Sequence, residues 1–189
     1  MKATGVVRRI DDLGRVVIPK EIRKTLRIKE GDPLEIFTDR EGQVILKKYS
    51  PIGELSEFAI GYAETLSKTT GHIACITDKD TIIAVSGGSK KEFLEQDVSQ
   101  ELEQLMEDKE VYTSKDNKDM SMPITKNDNG QRQYNSQVVY PIISNGDTIG
   151  SVILMSKDAN VKMTDVEKKV AQSLSLIHIW RCRRLNRCR

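Results

Sequence analysis

Short runs in which apolar and polar residues alternate occupy the N-terminal part of the chain. The four runs are TGVVRRI (4–10), RVVI (15–18), LEIF (34–37) and QVILKK (43–48). Period-two alternation predicts β-strands, and the glycine-containing turns at 11–14 and 39–42 predict that the strands pair as hairpins. Between the hairpins, Pro19 suits the first position of a short helix over residues 20–26.

Beyond residue 50 the pattern alternates between helices and strands. Apolar residues at helical spacing predict a long helix over residues 54–70. Strand patterns follow at 72–78, 81–87, 110–116, 136–144 and 148–156, with short helices at 89–96 and 99–108. Ser89 and Ser99 are expected N-caps, and Thr164 with Glu167 forms a capping box that begins a last helix. We expect an α+β fold in which helices flank an antiparallel sheet.

The charge balance changes sign near residue 50 and again near residue 175. Residues 1–50 carry 12 Lys/Arg and 8 Asp/Glu, residues 51–175 carry 13 and 20, and residues 176–189 carry 5 and none. Pro51 and Gly53 interrupt the strand pattern at the first change. We therefore predict two domains, 1–50 (the head) and 51–175 (the body), followed by the segment 176–189 (the tail).

The composition of the tail differs from that of the rest of the chain. It holds the only tryptophan, two of the three cysteines and five arginines, with no acidic residue. We interpret the tail as non-native sequence, and an arginine-rich arm that binds RNA is the alternative.

The head is too small to bury its own apolar residues. Both faces of its predicted strands carry valine, isoleucine or leucine, and so short a unit buries only a small fraction of its surface. A second copy that interleaves its hairpins with the first would cover these side chains and give a two-fold dimer. Symmetry would then fix the distance between the basic turns of the two copies, which suits double-stranded DNA.

The head resembles the AbrB-type swapped-hairpin DNA-binding family. The resemblance covers residues 3–50 and is carried by TGVVRRIDDLGRVVIPKEIRKTL, GDPLEIF and VILKKY. It implies a barrel-like interleaved dimer with five basic residues that contact DNA. These residues are Arg8, Arg9, Arg15, Arg23 and Lys24. Relatives commonly carry arginine at the last position, so this chain keeps the charge there but loses the two-pronged donor group. Lys2 and Lys20 are expected to add phosphate contacts.

The body resembles a GAF domain over residues 54–175, because the order of its predicted elements is similar. The combination of this head with this body resembles the sporulation transcription regulators of endospore-forming bacteria. This resemblance implies a homotetramer in which head dimers are joined through the bodies. It also suggests that the body binds a small-molecule signal, and a body that only oligomerises is an equal alternative.

Catalytic chemistry is not expected in this chain. His72 and Cys75 are predicted to be structural, and no His/Cys cluster has metal-ligand spacing. The glycine-rich SGGSKK (86–91) lacks the Gly-Lys-Ser/Thr ending of a nucleotide-binding loop. We therefore expect neither enzyme activity nor a cofactor or metal.

The predicted function is transcriptional regulation by DNA binding. No apolar run is long enough to span a membrane and no signal peptide is evident, so we expect a bacterial cytoplasmic protein, located in the forespore if the family resemblance holds. Two alternatives stay open. One is an antitoxin built on a swapped-hairpin head, and the other is a GAF-based metabolite-binding protein whose head only dimerises.

Overall fold

The computed structural model describes residues 5–50, 52, 56–114, 121–128, 134–144, 146–158 and 161–173. The chain divides into two compact units, Met1–Tyr49 and Ser50–Arg189. The predicted tail and Lys2 lie outside the described residues.

The described residues of the first unit form one helix and one β-hairpin. Its elements are α1 (Lys20–Thr25), β1 (Leu34–Thr38) and β2 (Val44–Lys48). Strands β1 and β2 are antiparallel, with Leu34 opposite Lys48 and Thr38 opposite Val44. The hairpin predicted around residues 39–42 is confirmed.

The strands predicted over residues 4–10 and 15–18 are wrong for the described residues of a single chain. The two segments meet in a turn where the N–H of Asp11 donates to the C=O of Arg15 at 3.0 Å. No strand extends from this turn in either direction through residues 5–18. A β-strand needs a partner that donates and accepts along its length, and one chain does not supply that partner here. For the same reason, the described residues form no closed barrel.

Helix α1 ends in a Schellman motif. The N–H of Ile28 donates to the C=O of Arg23 at 2.8 Å, and the N–H of Arg27 donates to the C=O of Lys24 at 3.3 Å. Arg27 adopts the left-handed conformation, with φ 50°, that this motif requires. At the other end Pro19 is the N-cap, one position before the predicted one, because its extended backbone precedes the first helical residue.

The second unit is a five-stranded sheet with helices. Its elements are α2 (Ser56–Thr70), β3 (Ile73–Asp78), β4 (Ile82–Ser86), α3 (Lys90–Phe93), α4 (Gln100–Asp108), β5 (Tyr112–Thr113), β6 (Ser136–Ser144) and β7 (Asp147–Ser156). Residues 165–173 form a further helix, α5. The strand order is β4-β3-β7-β6-β5, and every neighbouring pair is antiparallel. The predicted α+β fold with an antiparallel sheet is confirmed.

Each face of this sheet has its own hydrophobic core. Leu66 of α2 and Leu154 of β7 belong to the first core. Leu102 of α4 and Ile153 of β7 belong to the second core. Adjacent residues of β7 therefore face opposite cores, as the two-residue period of a strand dictates. The sheet is covered on both sides, by α2 and α5 on one face and by α3 and α4 on the other.

A segment without regular structure, residues 121–128, adds to the second core, and we call it the strap. Its Ile124 is fully buried. The side-chain amide of Gln137 on β6, also fully buried, accepts from the N–H of Met122 at 3.0 Å and donates to its C=O at 3.2 Å. One glutamine therefore satisfies both backbone groups of a strap residue and fixes the strap to the sheet.

The predicted helix caps differ in their hydrogen bonds. Ser99 is the N-cap of α4: its Oγ accepts from the N–H of Leu102 at 3.0 Å and donates to a strap carbonyl at 2.6 Å. The N–H of Thr164 donates to the Glu167 carboxylate at 2.6 Å, so the capping box is confirmed. Ser89 is the N-cap of α3, but its side chain makes no cap hydrogen bond.

Among the described residues, the backbone of strand β6 has partners on its outer side only at Gln137, Val138 and Val139. Strand β5 pairs only with Val138 and Val139. On the same side, the N–H of Gln137 donates to Oγ of Ser114 at 2.7 Å, and the Ser114 N–H donates to the C=O of Gln137 at 2.9 Å. Backbone groups alternate in direction along a strand, so Pro141 also presents its backbone to this outer side. Its missing N–H therefore removes no ladder bond with β7.

Candidate nucleic-acid interface

The basic side chains predicted to contact DNA lie on three parts of the head. Arg8 and Arg9 lie on the segment that enters the first turn, Arg15 lies at the exit of this turn, and Arg23 and Lys24 lie in the last turn of α1. All five are exposed. Apart from Arg15, none of their side chains has a hydrogen bond or ion pair to another described residue, so the charged groups are available to a polyanion.

The first turn holds Arg15 through a carboxylate. Oδ1 of Asp11 accepts the N–H of Leu13 at 3.1 Å and the N–H of Arg15 at 2.7 Å. Oδ2 of Asp11 accepts Nε–H of the Arg15 side chain at 2.7 Å. Gly14, with φ +76°, donates its N–H to the C=O of Asp11 at 2.9 Å. This combination is a type I turn closed by a glycine in the left-handed region.

The electrostatics of Asp11 follow from these contacts. The backbone N–H of Arg15 and then its guanidinium stabilise the ionised carboxylate and lower the pKa of Asp11. Sequence reasoning placed Asp11 in a turn but did not identify it as a partner of Arg15. The available signal was the spacing Asp-x-x-Gly-Arg, in which an aspartate oxygen accepts N–H groups two and four residues later.

The second turn of the head repeats this geometry without an arginine. Oδ1 of Asp39 accepts the N–H groups of Glu41 at 3.0 Å and of Gln43 at 2.8 Å. Gly42, with φ +79°, donates its N–H to the C=O of Asp39 at 3.3 Å. The side chain of Gln43, at the position equivalent to Arg15, donates to the Glu41 carboxylate at 2.8 Å. The chain therefore contains two turns of one design, of which only one carries the predicted DNA contact.

The helix that carries Arg23 and Lys24 is braced by Lys48 of β2. Nζ of Lys48 donates to the C=O of Arg27 at 3.0 Å and lies 3.4 Å from Oδ2 of Asp32. This lysine side chain is only 21% exposed, so its ammonium acts within the unit rather than toward an external partner. Sequence reasoning missed this role because a lysine near the end of a strand is usually solvated.

The cysteine of the body is buried. Cys75 lies in β3 within the second core and is fully buried. Burial raises the pKa of its thiol, so the reactive thiolate form is disfavoured. Within the residues that the structure describes, no group of three or more His, Cys, Asp or Glu side chains is placed to hold a metal ion.

A buried polar group lies at the edge of the second core. Tyr134 is 4% exposed, and its hydroxyl has no hydrogen-bond partner among the described residues. Burial, followed by the charges of Glu92, Cys75 and Asp128, raises the pKa of Tyr134. One Asp128 carboxylate oxygen is also buried without a partner in the described chain. Unsatisfied buried groups are uncommon in folded proteins and call for a physical explanation.

Among the helices that the structure describes, none has both the length and the apolar composition needed to cross a membrane.

Two family models match the chain. Residues 54–177 match the family described as Stage V sporulation protein T C-terminal, transcription factor. Residues 7–54 match the family described as Antidote-toxin recognition MazE, bacterial antitoxin.

Two regulators of Bacillus subtilis (strain 168) are similar to the chain. Stage V sporulation protein T is 53% identical over 174 residues, which cover 92% of this chain and 94% of the relative. Transition state regulatory protein AbrB is 63% identical over 51 residues, which cover 27% of this chain and 52% of the relative. The AbrB-type resemblance of the head is confirmed by this identity.

A solved structure is similar to the body. The blue-light absorbing form of the Thermosynechococcus elongatus PixJ GAF domain has a TM-score of 0.56 and 12% identity, and the match covers 75% of this chain and 94% of that chain. At this identity the likeness establishes the fold alone, and the predicted GAF-like fold is confirmed. Because the transcription-factor family model spans residues 54–177 and a 53% identical relative is matched over 94% of its length, the chain belongs to the family of stage V sporulation protein T transcription factors.

Proposed function

We propose that this chain is a DNA-binding transcriptional regulator of sporulation genes whose head contacts double-stranded DNA. The observation that carries the proposal is that the five predicted contact side chains are all exposed, and that only Arg15 among these five has a hydrogen-bond or ion-pair partner among the described residues. The proposed contacts are Arg8, Arg9, Arg15, Arg23 and Lys24. Exposed, flexible basic groups of this kind mainly bind phosphates, so affinity depends strongly on salt and only weakly on base sequence.

The head acts as an interleaved dimer in this proposal. No residue of the described range 5–50 is buried in a single chain. Twelve large apolar side chains of the head are exposed, among them Val7 at 86% and Val17 at 70%. A unit that leaves its apolar residues in water does not offset the entropy cost of folding. A second copy supplies both the missing strand partners for residues 4–10 and 15–18 and the missing core.

The body assembles dimers into a tetramer and receives a small-molecule signal. Apolar residues that stay exposed on its helices, Phe58 and Ile60 of α2 and Val166 of α5, support contact between bodies. The unpartnered hydroxyl of Tyr134 and carboxylate oxygen of Asp128 support a polar ligand beside the second core. We place the protein in the bacterial cytoplasm, in the forespore, as a regulator rather than an enzyme.

The antitoxin function is the second candidate, because residues 7–54 match an antitoxin family. Antitoxins of this class carry a disordered segment that folds on the toxin. Here the residues after the head form a sheet with two buried cores instead. A folded body of this kind favours the regulator over the antitoxin. A metabolite-binding protein whose head only dimerises is disfavoured for another reason, since that function gives no role to the five predicted contact side chains.

The proposal is tested by DNA binding in a salt series. Fluorescence anisotropy with a short duplex is measured for the full chain and for the chain without residues 176–189, because the five arginines of the tail add their own phosphate affinity. Log affinity is expected to fall linearly with log salt. Arg15→Ala is expected to flatten this slope by about one to two units, one for each subunit of a dimer.

The control is Arg40→Ala, which removes an exposed arginine from the second turn, at the position that Asp12 occupies in the first turn. This variant is expected to leave the salt slope unchanged. If the chain without the tail binds no duplex at moderate salt, the regulator function is wrong. Binding to a toxin protein would then support the antitoxin.

A further inference from the structure

Asp11 lies among the basic residues of the proposed DNA interface, where an acidic group is unfavourable in itself. A carboxylate near DNA repels phosphates and lowers affinity over distances of about 10 Å at 0.1 M salt. Asp11 is nevertheless engaged by three N–H donors of its own turn, two from the backbone and one from the Arg15 side chain, at 2.7–3.1 Å. The negative charge of Asp11 is therefore stabilised by donors within its own turn.

The contact with Arg15 uses one defined nitrogen. A guanidinium carries five N–H donors, one on Nε and four on the two terminal Nη atoms. Asp11 accepts from Nε at 2.7 Å. No other described residue accepts from this guanidinium, and the Arg15 side chain is 70% exposed. The two Nη groups, which together form the end-on fork of an arginine, therefore remain available.

We propose that Asp11 is a positioning residue for DNA binding, which holds Nε of Arg15 so that the two Nη groups meet the DNA as a preformed fork. This inference rests on the proposed function. A free arginine must lose rotamer entropy to make a two-pronged contact with a phosphate or a guanine edge. Arg15 has lost part of that entropy already, because its backbone N–H and its Nε are fixed by the same carboxylate.

The second turn of the head supplies a matched control. Asp39 accepts two backbone N–H groups at the same spacing as Asp11, and its glycine has nearly the same φ. The residue four positions after Asp39 is Gln43 instead of an arginine, and the side-chain amide of Gln43 donates to the Glu41 carboxylate. Asp11→Asn and Asp39→Asn both keep an amide oxygen for the backbone N–H groups and remove one negative charge. Only Asp11→Asn breaks a charged contact with an arginine.

The experiment measures duplex affinity at one salt concentration for the full chain and these two variants. Asp11→Asn is expected to weaken binding by about fivefold or more, because a charge-assisted hydrogen bond that orders Arg15 is lost. Asp39→Asn is expected to leave affinity unchanged or to increase it slightly, because it only removes an acidic charge. The direction of the change in affinity is decisive, since general electrostatics alone predicts tighter DNA binding for both variants.

A double-mutant comparison with Arg15→Ala distinguishes a positioning role of Asp11 from a general change in the structure of the turn. In the background of Arg15→Ala, Asp11→Asn is expected to have no further weakening effect on affinity. A second readout is the ¹⁵N–¹H NMR signal of Arg15 Nε in the DNA-free protein. This signal is expected to exchange slowly with solvent in the wild type and rapidly in Asp11→Asn, while thermal unfolding of both Asn variants stays close to that of the wild type.

The outcomes distinguish this inference from the proposed function. If the wild-type chain binds DNA and Arg15→Ala weakens it, but Asp11→Asn binds as well as or better than the wild type, the positioning role is wrong and the regulator stands. The same conclusion follows if Asp11→Asn weakens binding equally with and without Arg15. If the wild-type chain binds no DNA, the proposed function itself is wrong.

Discussion

Replacing Gln137 by leucine tests whether one buried amide fixes the strap to the sheet. Gln137 is fully buried, and its amide satisfies both the N–H and the C=O of Met122. Leucine has a similar volume but no polar atoms, so the variant leaves two backbone groups of the strap without a partner. Each such group costs about 1–3 kcal/mol when buried.

The size of the expected loss of stability depends on how deeply the strap is buried. Met122 is only half-buried, so water can replace part of each lost bond and each cost is near the lower end of that range. We expect Gln137→Leu to lower the free energy of unfolding by about 2–4 kcal/mol. For a domain of this size the melting temperature then falls by about 10 °C.

The assay combines urea unfolding with amide hydrogen exchange. Exchange at the Met122 N–H is expected to become faster in Gln137→Leu, because its acceptor is gone. Gln104→Leu is the control: Gln104 is exposed on α4, and its replacement is expected to change stability by no more than about 0.5 kcal/mol. Equal stability of Gln137→Leu and the wild type, with unchanged exchange at Met122, would refute the reasoning.

Three further predictions concern the body. Ser99→Ala removes the N-cap acceptor of α4 and a bond to the strap, and chemical unfolding is expected to show a loss of about 1–2 kcal/mol. Gly150→Ala places a Cβ against the carbonyl oxygen of Thr77 on the neighbouring strand, so the melting temperature is expected to fall by an amount equivalent to about 3 kcal/mol. Burial alone raises the pKa of Glu167, but hydrogen bonds from Thr164 outweigh it and the pKa is lowered. Stability from this group is therefore fully present above about pH 4.5, the ordinary value, and is lost as pH falls through the lower folded-state pKa. Glu167→Gln is expected to abolish that part of the acid sensitivity of the melting temperature.

Local patterns predicted most of the body. The apolar runs around Val138 and Ile153 gave both strands of the strongest pair, and the Thr164–Glu167 spacing gave a capping box that the structure contains. Such features depend on residues close in sequence. The role of Gln137 was not predictable in this way, because its partner lies 15 residues away on a segment without regular structure.

In the head, prediction from the sequence failed for a different reason. The valines of residues 4–10 and 15–18 have the alternation typical of strands, but a strand forms only beside a partner, and the described residues of one chain provide none for these segments. The five basic residues were predicted from the resemblance to a family, whereas the contact of Asp11 with Arg15 was not, because the spacing Asp-x-x-Gly-Arg is also that of an ordinary turn. Its importance depends on which of its oxygens meets which nitrogen, and this is visible only in the structure.

Pro141 has a consequence for how bodies can meet one another. An exposed strand edge invites another chain to add a strand, which leads to uncontrolled association. Pro141 on the outer side of β6 is itself buried, and it has an imide nitrogen where an incoming strand would need a hydrogen-bond donor. Continuous sheets across two bodies are therefore disfavoured at this edge. Association of two bodies edge to edge is thereby disfavoured at this strand, which leaves the side chains on helices as the surface through which copies of the body could meet.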